Sequence, residues 1–235
     1  MDSLTGSILL CSFIKSEFIM KKHLSLFGAV LTAGILGAPA LAVAGPTLYI
    51  SGNVGVSSFN DINPRYHDSQ EPIGTATTDA GIAVVGAVGV KCCVTHIRLE
   101  AEIGYQRNNY KQFDEYLGST HNATGYFSVT SYLANGYYDF HVAGVDPYLT
   151  AGIGLASVSA HGINYSDAPA SEAITETHSA LGYQFGAGVA IPLTKNIAFD
   201  ARYRYFGTST IVLENNQGDC RLPGSSFLAG LRVGL

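Results

Sequence analysis

The sequence predicts an all-β protein: an eight-stranded antiparallel up-and-down transmembrane β-barrel with long extracellular loops and short periplasmic turns. Three observations lead to this prediction. Segments of about ten residues alternate apolar and polar side chains, which is the period of a β-strand. The connections between these segments alternate between short and long, as in outer-membrane barrels. The chain also carries the features of a secretion signal near its start.

The N-terminal region predicts export. Residues 20–44 are interpreted as a signal peptide, because two lysines precede an uncharged apolar run that ends in Ala42-Val43-Ala44. The run is long enough to serve instead as a membrane anchor, but its small residues and its ending favour cleavage. Residues 1–19 match no part of a signal peptide, so we interpret them as a mis-assigned upstream segment, with translation starting at Met20. The barrel domain is then 45–235.

Composition argues against a nucleic-acid-binding protein and against a protein held together by disulfides. The chain has 13 Lys and Arg against 18 Asp and Glu, a formal net charge of −5, so nucleic acid is not an expected partner. Three cysteines follow the signal peptide, and two of them, Cys92 and Cys93, are adjacent. Adjacent cysteines rarely pair with each other and the number is odd, so a disulfide framework is not expected.

Segment 196–206 shows the alternation most clearly. One of its faces carries Asp200, Arg202 and Arg204, and the opposite face is apolar. Segment 96–106 repeats this design with three further charged residues. The other segments with the same period are 47–57, 81–91, 125–140, 147–157, 181–191 and 227–235. In 125–140 aromatic residues occupy both faces, so its outward face stays undecided.

The connections indicate which end of the barrel faces outward. The long polar connections are 58–79, 107–124, 158–179 and 207–225, and the short ones are 92–95, 141–146 and 192–195. Short turns face the periplasm and long loops face the outside. A soluble barrel of the lipocalin type is the alternative, because it also has eight antiparallel strands. Such a barrel keeps its apolar side chains inside and should not enclose several charges on that same face.

The charged face is assigned to the barrel lumen, because each Arg or Lys facing lipid at mid-bilayer would cost about 2 to 4 kcal/mol. The predicted lumen charges are Lys91, Arg98, Glu100, Glu102, Asp200, Arg202, Arg204 and Arg232. The predicted lipid-facing residues are Ile97, Leu99, Ile103, Phe199, Tyr203 and Tyr205. Eight strands enclose a space that side chains fill, so we interpret the charges as a salt-bridge network that plugs the lumen. A narrow channel, or a conduit for small hydrophobic solutes, is the alternative.

Several short motifs resemble those of the opacity-protein family of bacterial outer-membrane β-barrels, to which the surface-antigen porins are related. The motifs are Asn-Gly-Tyr-Tyr-Asp-Phe at 135–140 and the segments 146–154, 184–189 and 202–205. The resemblance covers about 47–235 and implies a surface-exposed protein of the bacterial outer membrane, with adhesion through variable loops in some members. The expected partners are outer-membrane lipid, lipopolysaccharide and a surface protein bound by the loops. The chain departs from the family pattern at Leu235, where such barrels usually end in an aromatic residue.

No catalytic site is predicted. Neither Gly-x-Ser-x-Gly nor His-Glu-x-x-His occurs in the chain. Four histidines lie in or beside the long connections, while His96 and His141 lie near the short ones. Cys92, Cys93 and His96 would supply three ligands on one short turn but no fourth. The sequence therefore predicts no enzyme, no cofactor and no metal.

The long connections are acidic. Their acidic residues are Asp61, Asp68, Glu71, Asp79, Asp114, Glu115, Asp167, Glu172, Glu176, Glu214 and Asp219, and their basic residues are Arg65, Arg107, Lys111 and Arg221. We call this set the acidic crown. Such a crown repels polyanions and attracts cations, which predicts a basic protein surface, or a partner bridged by divalent ions. The alternative is that these residues only keep the loops solvated.

Overall fold

The computed structural model describes residues 47–92, 96–116, 118–142, 144–165, 174–212 and 218–235. The predictions for 1–19 and 20–44 lie outside the described residues. No helix within the described ranges is long and apolar enough to cross a membrane.

Eight long strands form one closed antiparallel ring. They are β1 (Thr47–Phe59), β3 (Gly81–Lys91), β4 (Ile97–Glu115), β5 (Thr120–Asp139), β6 (Asp146–Tyr165), β7 (Ile174–Pro192), β8 (Ile197–Thr208) and β11 (Gly224–Gly234). Each strand pairs with its neighbours in chain order, and β11 closes the ring by pairing with β1. Three short strands, β2 (Gly74–Thr78), β9 (Ile211–Val212) and β10 (Asp219–Cys220), lie in the connections. The predicted eight-stranded up-and-down barrel is confirmed.

The short turns gather at one end of the barrel. The links from β3 to β4, β5 to β6 and β7 to β8 all lie there. The backbone N–H of Leu235 donates to the carbonyl oxygen of Leu48 at 2.9 Å, so the last strand meets the first strand at this end. The N–H of Gly234 donates to the carbonyl oxygen of Asn196, in the link from β7 to β8, at 2.7 Å. Because short turns of such barrels face the periplasm, this is the periplasmic end.

An apolar belt surrounds the barrel. Every second residue of each strand points outward, because successive strand residues point to opposite faces of the sheet. On β4 the belt runs from Ile97 to Tyr105, nine residues that suffice to cross a bilayer at the usual strand tilt. Other exposed members are Leu48, Ile50, Val54, Val56, Ile82, Val84, Val88, Leu149, Ile153, Leu181, Phe185, Phe227 and Leu231.

Four strands continue past the belt as a projecting wall. β4 extends to Glu115, β5 begins at Thr120, β6 extends to Tyr165 and β7 begins at Ile174. The prediction that 107–124 and 158–179 are loops is therefore wrong for most of these residues. Polar side chains occur on both faces, as at Asn108 inside and Asn109 outside, which hides the strand period. Pairing with neighbouring strands still satisfies their backbone groups. The nine residues that β4 adds beyond Gln106 extend the wall by about 30 Å.

A β-bulge lies near the base of this wall. The register between β5 and β6 shifts between Thr124 and Tyr126. Gly125 has a φ of 109° and Gly162, on the facing strand, has a φ of 57°. A Cβ at position 125 would clash with the backbone carbonyls of His161 and Gly162, so only glycine fits this close approach.

An apolar core fills the long-loop end of the lumen. Inward side chains of the strands, such as Leu133 and Phe206, pack there against Ile62, Ile211 and Leu222 from the long connections. The remaining buried members are Phe59, Ala76, Tyr110, Ala123, Val129, Ala156, Val158, Ile163 and Ala180. We call this cluster the loop-end core. Sequence reasoning missed it, because it places apolar residues inside a barrel whose outside is also apolar.

Candidate functional site: the lumen charge network

Below the loop-end core the lumen is charged. Four arginines and four carboxylates face inward, and their formal charges balance. They are Arg98, Arg202, Arg204, Arg232, Glu100, Glu102, Asp139 and Asp200, and we call them the lumen charge network. β4 and β8 supply six of the eight, since both strands carry charged residues at alternate positions.

Glu102 is the centre of the first part of the network. Its Oε2 accepts from Arg202 Nη2 and from Asn135 Nδ2, each at 3.1 Å, and its Oε1 accepts from Arg204 Nη1 at 3.2 Å. Arg204 Nη2 also donates to Gln106 Oε1 at 3.2 Å. The Glu102 side chain is fully buried. These additional hydrogen bonds offset part of the cost of burying the ion pairs. The buried Nε atoms of Arg202 and Arg204 have no hydrogen-bond partner among the described residues.

Arg98 organises the second part. Its Nε donates to both carboxylate oxygens of Asp139, at 2.7 and 3.0 Å, and its Nη1 donates to the Tyr49 hydroxyl at 2.9 Å and to Glu100 Oε1 at 3.2 Å. The guanidinium carbon lies 4.2 Å from the ring centre of Tyr137, within the range of a cation–π contact. Arg98 is therefore fixed by charge, hydrogen bonds and stacking together.

A tyrosine hydroxyl joins the two parts. Tyr137 donates to Glu100 Oε2 at 2.7 Å and accepts from Arg202 Nη1 at 2.9 Å. The hydroxyl uses both its donor and an acceptor lone pair. The charges of β4, β5 and β8 thus form one connected set of hydrogen bonds.

Asp200 holds the third part, next to the periplasmic end. One of its oxygens accepts from the Tyr148 hydroxyl at 2.7 Å and from Asn53 Nδ2 at 3.3 Å, and the other accepts from Arg232 Nη2 at 2.6 Å. A cavity of about 10 Å³ lies among these side chains and is bordered by Glu100. That volume corresponds to about one water molecule, so at this level side chains occupy the lumen.

The structure buries six of the eight predicted lumen charges. Arg98, Glu100, Glu102, Asp200, Arg202 and Arg204 are buried inside, and the Arg232 side chain is 15% exposed. Lys91 is half-buried at the periplasmic end of β3, and among the described residues no hydrogen bond or ion pair reaches its side chain. Of the predicted lipid-facing residues, Ile97, Leu99, Ile103 and Tyr203 are exposed, while Phe199 and Tyr205 lie on the same outward face of β8 and are half-buried.

Sequence reasoning missed Asp139 and the tyrosines that complete the network. Asp139 stands at the strand period from Asn135 and Tyr137, both of which face inward, and that spacing was the available signal. Two glycines make room for the other tyrosine rings. Tyr49 lies opposite Gly89 in the β1–β3 register, and a Cβ on that glycine would clash with the ring. Gly188 plays the same part for Tyr148.

A separate contact joins two of the long connections. His67 Nδ1 lies 2.9 Å from Asp219 Oδ1, and the backbones of Arg65 and Asp219 exchange hydrogen bonds of 2.9 and 2.7 Å. The hydrogen bond and charge of Asp219 raise the pKa of His67 above its ordinary value. The hydrogen bond from His67 lowers the pKa of Asp219 in turn.

We expect this loop contact to depend on pH. Because the pKa of folded His67 is raised, its contribution is complete below the ordinary histidine pKa and is lost as the pH rises through the raised value. Because the pKa of Asp219 is lowered, its contribution is lost only as the pH falls through that lowered value. Hydrogen exchange at the Arg65 and Asp219 amides, corrected for intrinsic rates, should show more protection at about pH 5.5 than at about pH 9. His67→Gln should remove the difference, and equal protection in the unsubstituted protein would contradict the assignment.

Comparison with known proteins places this barrel in a family. Residues 28–233 match the family model of the outer membrane protein beta-barrel domain. The chain belongs to that family. It is therefore a protein of the outer membrane, and the resemblance drawn from its motifs is confirmed at the level of outer-membrane β-barrel surface proteins. With the family and the exposed apolar belt together, the soluble lipocalin-type alternative is set aside.

One curated relative and two solved structures illustrate the likeness. The outer membrane protein PagN of Salmonella typhimurium is 30% identical over 125 residues, which are 47% of this chain and 51% of PagN, so the chain spans about half the length of this curated relative. OprG from Pseudomonas aeruginosa has a TM-score of 0.53 at 9% identity, with 81% of this chain and 96% of OprG covered, and it shows the shared fold. Neisserial surface protein A has a TM-score of 0.46 at 19% identity, covering 80% of this chain and 98% of its own.

Proposed function

We propose that this protein acts at the cell surface through its projecting wall and long connections, and that its barrel is a closed support without a conducting pore. One observation supports the proposal: two successive layers of buried side chains lie across the described lumen. The lumen charge network occupies the periplasmic side, where the cavity beside Asp200 measures about 10 Å³. The loop-end core occupies the other side. A passage for solutes would require both layers to move.

Conductance tests the closed barrel. Protein extracted from outer membranes and inserted into planar bilayers should give no reproducible conductance steps, because the ion pairs around Glu102 and the packing around Leu133 would have to break together. A porin of known conductance inserted by the same procedure controls for the bilayer. Reproducible unitary steps from this protein would support a narrow channel instead and would overturn the closed-barrel proposal.

The surface that we propose for binding is the acidic crown. Its described acidic members are Asp61, Asp68, Glu71, Asp79, Asp114, Glu115, Glu176 and Asp219, against Arg65, Arg107, Lys111 and Arg221. Asp167, Glu172 and Glu214 lie outside the described residues. Asp61, Asp68 and Glu71 are all exposed in the connection between β1 and β2. A surface with this excess of negative charge favours a basic protein partner or one bridged by divalent ions, and we propose a binding role without catalysis.

The charge proposal predicts a partner preference. Outer-membrane vesicles carrying the protein should bind immobilised poly-L-lysine more than vesicles lacking it, and the difference should shrink as salt rises, because exposed charges are screened. The triple variant Asp61→Asn, Asp68→Asn, Glu71→Gln should lose most of this difference. Asp146→Asn, at the periplasmic end, is the matched control and should change nothing. Tight attachment to heparin at physiological salt would contradict the proposal.

A further inference from the structure

Two histidines meet at the periplasmic end of the barrel. His96 lies just before β4 and His141 lies two residues after the end of β5, so they belong to neighbouring short turns. Their Nδ1 atoms are 3.1 Å apart and their ring centres 5.0 Å apart. Both side chains are exposed on the side of the barrel opposite the acidic crown. Neither takes part in the lumen charge network.

The backbone holds this pair in place. The register between β4 and β5 pairs Ile97 with Tyr138. One step further, the Asp139 N–H donates to the His96 carbonyl oxygen at 2.7 Å. His141 is then two residues beyond the partner of His96, which is the diagonal cross-strand position from which side chains reach each other. The β5–β6 turn is closed by hydrogen bonds of 3.1 and 2.8 Å between Val142 and Val145, so the second histidine is also on a fixed backbone.

The spacing of the two nitrogens suits a shared cation. Imidazole nitrogens bind Zn²⁺ at about 2.0 to 2.1 Å, so two of them at a tetrahedral angle on one ion lie about 3.3 Å apart, close to the observed 3.1 Å. Without a metal, one Nδ1 carries the hydrogen that the other accepts, because two N–H groups cannot point at each other at this distance. A divalent ion can replace that proton and use both lone pairs at once.

We propose that His96 and His141 form a binding site for one borderline divalent cation of the Zn²⁺, Ni²⁺ or Cu²⁺ class, the class that imidazole ligands favour. Among the described residues no third histidine, cysteine or carboxylate joins the pair in a metal-holding group. Water therefore completes the coordination, and the site is open to the periplasm. A bound ion links the β3–β4 turn to the β5–β6 turn outside the membrane.

Metal titration of the native protein tests the site. The protein is extracted from outer membranes without an added tag, stripped with chelator, and titrated with ZnCl₂ by calorimetry in detergent. We expect one Zn²⁺ per chain. His96→Asn and His141→Asn should each weaken binding more than about tenfold, since even the loss of a residue that only supports a metal ligand weakens affinity by about that much. His161→Asn, which alters a histidine on β6 beyond the belt, is the matched control and should leave the affinity unchanged.

Two further measurements separate the histidine site from its competitors. In the double variant Cys92→Ser, Cys93→Ser, which removes both thiols of the β3–β4 connection that carries His96, Zn²⁺ binding should persist. Loss of binding in this variant would assign the metal to the cysteines and overturn the proposal. Each variant is first checked for the shift in migration between heated and unheated gel samples that marks a folded barrel. Zinc should also raise the thermal midpoint of the unsubstituted protein and of the His161→Asn control, but not that of either histidine-pair variant. The proposal would also be overturned if none of Zn²⁺, Ni²⁺ and Cu²⁺ bound to the protein, or if all variants bound the metal equally.

Discussion

Replacing Glu102 with alanine should lower the free energy of unfolding by about 3 to 5 kcal/mol, the cost of leaving buried charges without their partner. Arg202 and Arg204 both donate to this carboxylate, and their side chains are only 4% and 3% exposed. Alanine removes the acceptor and leaves both guanidinium groups inside the barrel. Urea unfolding of protein folded in lipid vesicles, followed by the folded and unfolded bands of unheated gel samples, measures the change.

Glu115→Ala is the matched control for this experiment. It removes the same residue type from the same strand, but its side chain is 48% exposed and lies 3.5 Å from a partly exposed histidine. A surface pair of this kind contributes about 0 to 1 kcal/mol. If Glu102→Ala and Glu115→Ala destabilised the barrel equally, the lumen charge network would not hold it together.

Ile103→Arg should cost about 2 to 4 kcal/mol, because it places a cation on the lipid face near mid-bilayer. Ile103 is exposed and lies within the apolar belt of β4, between Ile97 and Tyr105. Asn109→Arg changes the same outward face of the same strand six residues further on, beyond the belt, and should alter stability by no more than about 0.5 kcal/mol. The same unfolding assay compares the two. Equal effects would mean that the belt does not contact lipid at this depth.

The sequence predicted the orientation of the strands best where charge alternated with apolar residues. On β8, Asp200, Arg202 and Arg204 could face only the lumen, because lipid would not accept them. On β5 the same reasoning failed. Both faces of its segment carry aromatic residues, so Tyr137 inside and Tyr138 outside could not be told apart, and Asp139 was left out of the network.

The projecting wall could not be predicted, for a different reason. Outside the membrane neither face of a strand must be apolar, so residues after Gln106 lose the alternation that marks a strand. Their strand structure comes from pairing with β5, which is a property of two segments and not of one. The loop-end core was hidden in a similar way, because Phe206 and Leu222 come from separate segments and meet only in the closed barrel.

Lys91 was predicted as a lumen charge but does not belong to the lumen charge network. Its alternation within β3 predicted a place in the lumen charge network, but it lies at the last position of that strand, beside the periplasmic turn. A long lysine side chain at the end of a strand can reach water with its ammonium group. Asp139 supplies the fourth carboxylate of the network, so the eight charges balance without Lys91.

Spin labels placed singly at positions 82–85, 87 and 88 of β3 test the central claim of a barrel with a lipid-facing belt and a filled lumen. This strand contributes no member of the lumen charge network, so labelling it leaves the ion pairs intact. In vesicles, labels at Ile82, Val84 and Val88 should be accessible to oxygen, which dissolves in lipid. Labels at Ala83, Val85 and Ala87 should be accessible neither to oxygen nor to a water-soluble nickel complex. Access of the nickel complex to the second set would indicate an open aqueous lumen. Equal oxygen access at both sets would contradict the assignment of one strand face to lipid and the other to the lumen.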